Sequence, residues 1–174
     1  MSLRARILLV FVLLLSPTGR GALAETGQAE QVRRDVTALV EAGYRGDVEA
    51  MLRFTHPALV ERLGGSDAAR AAMAKVLREA ERVDVELESF SLPGAPEFLD
   101  GRERRFAIVR TLSVIRGKDG QRLESLNFLL GVREPDAGGW SYVEGSMLDK
   151  EKVRVLFPDF PEGYTLPAFH RRKL

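Results

Sequence analysis

The sequence predicts an α+β domain, with N-terminal helices packed on a strongly bent antiparallel sheet. Three observations predict it. Apolar residues recur at helical spacing from Ala29 to about Arg82. Beyond Val83 the period changes to strand-like alternation. Gly117-Lys118-Asp119-Gly120 separates two long runs rich in apolar and β-branched residues, which marks a hairpin. Helices followed by a meander is an α+β order.

The first 24 residues stand apart from that pattern. Arg4 and Arg6 precede an unbroken apolar run, Ile7 to Leu15, and Ser16-Pro17-Thr18-Gly19 breaks it. Ala22-Leu23-Ala24 then gives the small-x-small exit of a secretory signal peptide, with cleavage expected after Ala24. The run is well short of the roughly 20 residues that cross a bilayer. The expected localisation is therefore periplasmic or secreted, with no membrane attachment once the signal is cleaved. Residues 25–156 form the domain, and residues 157–174 a Pro- and aromatic-rich C-terminal arm.

Within the domain, Val32, Val36, Leu39 and Val40 give a helix over Ala29–Ala42, ended by Gly43 and Gly46 around Tyr44. Asp47 caps a second helix with Val48, Met51 and Leu52 inward. Thr55-His56-Pro57 starts a third, with Pro57 suited to the first helical position. Ser66 caps a fourth, to about Arg82, with Ala69, Met73, Val76, Leu77 and Ala80 on one face. Val85, Leu87 and Ser89 alternate with Glu86, Glu88 and Phe90 in a first strand. Leu99-Asp100-Gly101 reads as a turn. Arg104–Arg116, Arg122–Arg133 and Trp140–Glu144 are three further strands, and Asp149 caps a short helix through Leu156.

Composition narrows the function. The chain of 174 residues has no Cys, which excludes disulfides, thiolate metal sites, a Cys nucleophile and a Cys-linked lipid anchor. The formal charge is +1. The first 24 residues hold three Arg and no acid, leaving 23 basic against 25 acidic residues beyond them. That balance gives no basic footprint for nucleic acid. No His-x-x-x-His or paired His–acid spacing points to a metal, and no cofactor motif is present.

The opening amphipathic helix, Gly46-Asp47, Thr55-His56-Pro57 and the late strand Gly139-Trp140-Ser141-Tyr142-Val143 together resemble the nuclear transport factor 2-like superfamily. Its SnoaL-like and ketosteroid isomerase-like members share the order, and the resemblance covers roughly Gln28 to Leu156. It implies a cone-shaped domain with a pocket, often dimeric through the open sheet face. The superfamily holds isomerases, cyclases, dehydratases and members that only bind, so the fold leaves function open. No catalytic residue carries over.

Each candidate residue has a plainer reading beside it. His56 could be a general base at a pocket mouth, or a polar cap before Pro57. Arg110 shares an otherwise apolar strand face with Phe106, Ile108, Leu112 and Val114. It could receive a ligand carboxylate, or pair with Glu124 or Glu86. Asn127 could orient a ligand or bond to the sheet edge. Trp140 and Tyr142 share a face and could line the pocket with Tyr44, or serve as core. The strand acids Asp84, Glu86 and Glu88 could do acid–base work or form a wet face. The arm's Phe157, Phe160, Tyr164, Leu166 and Phe169 are too apolar for a free tail, and suit an arm laid on the domain or a partner subunit.

The expectation is an exported, non-catalytic domain that binds a small apolar or amphipathic ligand or a partner protein, as a homodimer through the sheet. The alternative is an isomerase, cyclase or dehydratase using His56 or a strand carboxylate as base.

Overall fold

The structure, a computed structural model, describes residues 18–82 and 85–174. The basic start and apolar run of the expected export signal, and Asp84 of the strand acids, lie outside the described residues.

Among the described residues four helices come first: α1 (Thr18–Tyr44), α2 (Val48–Phe54), α3 (Pro57–Arg62) and α4 (Ser66–Arg82). α1 begins well before the expected Ala29. Its first part carries Gly19, Gly21 and Gly27 and no apolar stripe, so neither propensity nor periodicity marks it as helix. Val32, Val36 and Ala42 are its buried residues. Asp47 caps α2, its side chain accepting from Ala50 N at 2.9 Å. The stripe expected on α4 is buried only at Ala69, and Val76 is 68% exposed. α4 packs chiefly on α2 and α3, which leaves Met73 and Leu77 half-buried and Val76 and Ala80 exposed. Among the described residues no helix is long and apolar enough to cross a membrane.

Six antiparallel strands follow: β1 (Glu86–Ser91), β2 (Glu97–Asp100), β3 (Arg105–Arg116), β4 (Arg122–Arg133), β5 (Ser141–Glu144) and β6 (His170–Lys173). The two long strands β3 and β4 pair along their whole length through the Gly117–Gly120 turn. β1 and β2 lie one after the other on the outer edge of β3. β5 and β6 do the same on β4. The sheet is open: its margins are β1 with β2 on one side and β5 with β6 on the other.

Two sequence expectations change here. Leu99-Asp100-Gly101 is not a free turn, because Leu99 and Asp100 pair with Phe106 and Arg105 as part of β2. A bulge between Leu87 and Ser89 breaks the alternation of β1. Glu88 consequently turns inward to Arg122 at 2.6 Å and Arg116 at 3.3 Å, and Glu86 meets Arg116 at 2.9 Å. The acids of β1 are thus spent in ion pairs. The arm lies on the domain, one of the two placements its apolar residues suggest, and ends as β6, with Arg172 on Glu124 at 2.6 Å.

Directly opposed residues of an antiparallel pair share a face. On one face Ala107, Val109, Leu129, Trp140 and Tyr142 pack against Val32 and Val36 of α1. On the other, Phe106, Ile108, Phe128, Leu130, Val132 and Val143 pack against α5 (Lys150–Leu156) and the arm. Val153, Phe157 and Phe160 are the buried residues that close this second core. The arm then passes Glu97 of β2, whose carboxylate accepts from the Tyr164 hydroxyl at 2.8 Å, and reaches β4 as β6. Helices therefore cover one face and the C-terminal chain covers much of the other.

Candidate functional site

His56 sits at the N-cap of α3 with extended backbone, and Pro57 follows at the first helical position. Its Nδ1 accepts from Ala58 N at 3.1 Å. Its Nε2 lies 3.3 Å from Glu134 Oε1, a long contact that falls short of a full hydrogen bond. The ring is 4% exposed and stands edge-on to Phe157 with centroids 4.9 Å apart. An acceptor is required at Nδ1, so the proton is assigned to Nε2. Burial holds the imidazole below its usual pKa, against the opposing pull of Glu134. In this state no lone pair of His56 is free for a substrate.

Glu134 Oε1 also accepts from Arg104 Nε at 2.8 Å. Arg104 Nη1 donates to Asp159 Oδ1 at 2.7 Å, and Asp159 Oδ2 accepts from Arg104 N at 3.1 Å. The Asp159 side chain is 6% exposed. Burial pushes its carboxyl up, but the Arg104 guanidinium and the backbone N–H groups of Arg104 and Glu103 outweigh that and leave it below the usual range. A polar chain thus runs from the start of α3 to the root of the arm.

Trp140 and Tyr142 share a face, as alternation predicts, and both are core. Gly131 makes room for them: a Cβ there would lie 3.1 Å from the Tyr142 ring and 3.3 Å from Trp140. The Tyr142 hydroxyl donates to Asp35 Oδ2 at 3.2 Å. Burial raises the pKa of both groups, strongly for Tyr142. Tyr142→Phe keeps the ring and removes that donor. The expected loss is about 1 kcal/mol of stability in urea unfolding, the worth of a typical hydrogen bond. An unchanged midpoint would show that the bond is idle.

The remaining candidates are dispersed. Arg110 lies on the arm-side face and is exposed, so it escapes the burial cost expected of it. Neither expected partner holds it: Glu86 pairs with Arg116 and Glu124 with Arg172. Asn127 is on the helix side and donates from Nδ2 to Glu144 Oε1 at 3.2 Å. Its buried Oδ1 has no partner. Tyr44, at the end of α1, is 49% exposed.

A recess of about 550 Å³ lies elsewhere, between α5 with its preceding turn and the arm. Leu148, Val153, Phe160, Leu166 and Phe169 give it apolar walls, and Lys150 lies on its rim. A second, more open one of about 610 Å³ lies between α1 and β1, beside Arg33, Phe90 and Leu92. None of Tyr44, His56, Arg110, Asn127, Trp140 and Tyr142 lines either recess. The first recess was not assembled from sequence, although its lining runs only from Gly145 to Phe169, because the arm has no period to show how it turns back on α5. Its signal was the density of Phe, Tyr and Leu after Leu156.

Compared with known proteins, the chain matches no family model, no curated protein and no solved structure.

Proposed function

We propose an exported, non-catalytic binding domain that holds a small apolar or amphipathic ligand between α5 and the C-terminal arm. The observation that carries this reading is the recess itself. Its volume of about 550 Å³ falls within the range of roughly 300–1,000 Å³ common for ligand sites. Its mixture of apolar walls with a few charged rim groups suits an amphipathic molecule.

Export is supported by the basic start, apolar run and Ala22-Leu23-Ala24 exit. Glu25 and Gln28, just past that exit, both contact Arg105 of β3, at 3.4 and 2.8 Å. A nuclear transport factor 2-like cone remains the finer reading of the fold. The order of helices before an antiparallel meander supports it. The filled interface of Val32, Val36, Trp140 and Tyr142 moves the binding site away from the centre of such a cone. An isomerase or dehydratase would need a free base, and His56 is occupied as a cap. Any homodimer through the sheet would have to use the part of the arm-side face that the arm leaves clear, around the half-buried Leu112 and Leu126.

Titration with the dye 1-anilinonaphthalene-8-sulfonate tests the reading. Saturable binding is expected in the wild type. Leu166→Asp should weaken it by at least about tenfold, since one lost leucine contact is worth over 1.4 kcal/mol. No saturable binding, or equal binding in a folded Leu166→Asp variant, would overturn it.

A further inference from the structure

Three parts of the chain meet at His56. α3 begins there, Glu134 follows directly on the last residue of β4, and the arm starts there at Phe157. The geometry points to an acid-sensitive joint: proton uptake at His56 Nδ1 loosens the start of α3 and the root of the C-terminal arm together.

Nδ1 is the acceptor for Ala58 N–H. A proton on Nδ1 removes that acceptor and sets two N–H groups against each other. The first turn of α3 then loses its side-chain cap, and α3 has only six residues with which to hold itself. The ring also gains charge in a site that is 4% exposed and packed on the buried Phe157. A charge there is costly unless it is well paired.

The charged groups facing the ring divide. Glu134, just after β4, and Glu61 on α3 favour the proton, and Arg104 at the start of β3 opposes it. Glu134 is the closest of them, but its Oε1 is already held by Arg104 at 2.8 Å, against 3.3 Å to His56. Drawing Glu134 toward an imidazolium weakens its bond to Arg104. Arg104 in turn holds Asp159 on the arm. Both routes, through Phe157 and through Arg104 to Asp159, end at the root of the arm.

The direction with pH follows. The closed state binds the His56 proton less readily than an open state with an ordinary imidazole. The closed joint is therefore fully favoured above pH 6.5 and loses stability as pH falls below it. At pH 5.5 an open-state imidazole of ordinary pKa is about 90% protonated, which favours opening by up to about tenfold, the full factor being reached when the closed state takes up no proton.

Hydrogen–deuterium exchange at pH 7.5 and 5.5, corrected for intrinsic rates, tests this. The amides of residues 58–63 and of Phe157, Asp159 and Phe160 should lose protection at pH 5.5, by up to about tenfold, while Ala107–Val109 hold theirs. His56→Asn keeps a capping oxygen and removes the titration, so its protection should be the same at both pH values. Equal protection of the wild type at both pH values would overturn the proposal, as would the same loss in His56→Asn. Should that variant not fold, a proton NMR titration of His170→Gln, in which His56 is the single imidazole, decides. A His56 pKa below 6.5 supports the joint, and a value at or above 6.5 overturns it.

Discussion

Arg104→Ala should cost the fold about 3 kcal/mol, the lower end for removing one partner of a buried ion pair. Arg104 bonds Glu134 at 2.8 Å and Asp159 at 2.7 Å. Glu134 is about a third exposed, so water compensates for much of its loss. Asp159 is not so placed. Its side chain is 6% exposed, and its backbone and side-chain oxygens sit tightly over Gly101. Without the guanidinium it becomes a buried carboxylate with only backbone N–H partners. Most of the cost should come from that stranded charge. Arg104→Ala combined with Asp159→Asn should therefore recover part of the loss in urea unfolding. A loss below about 1 kcal/mol in the single variant would place this pair among exposed ion pairs of little worth. The root of the arm would then be held mainly by the burial of Phe157 and Phe160.

Gly145→Ala should be nearly as damaging, for a different reason. Gly145 is buried at the start of the 3-10 turn that leads from β5 to α5. A Cβ at this position would lie 2.5 Å from both Phe128 Cε1 and the Phe128 carbonyl oxygen. The ring of Phe128 is 1% exposed and the carbonyl belongs to a central strand, so neither can give way cheaply. Overpacking of this kind costs about 3 kcal/mol at the upper end. For a domain of this size that lowers Tm by roughly 6–12 °C. A fall of less than about 2 °C would show that the turn shifts freely. Phe128→Leu made together with Gly145→Ala should restore part of the loss, since the two act on one contact.

Local chemistry was legible in the sequence where a cap or turn carries its own signature. Asp47, His56-Pro57 and Asp149 begin α2, α3 and α5 as read, and Gly117–Gly120 turns the long hairpin. Alternation also put Arg110 on one face of β3 with Phe106 and Ile108, but only the register of β3 against β4 shows that Asn127 lies on the opposite face. Alternation cannot say what covers a face, and this left Arg110 looking more confined than it is. Periodicity missed the first part of α1 because that part has no stripe to bury. It also missed β2 and β6, four residues each, which owe their form to the long strands beside them. The recess needed the arm to turn back on α5, and an arm of Pro and aromatic residues without a period does not show the direction of that turn. His56 was legible as a cap, but the groups around its other nitrogen come from Glu134 and Arg104, far along the chain.

The central claim is that the arm and α5 form the binding surface, and that the helix-side interface is core. Amide chemical-shift mapping of the folded protein during titration with 1-anilinonaphthalene-8-sulfonate tests it most directly. Saturating shifts confined to residues 145–154 and 160–169 are predicted. Shifts centred on Tyr44, Asn127, Trp140 and Tyr142, with the arm unmoved, would contradict the account and return the site to the space between helices and sheet.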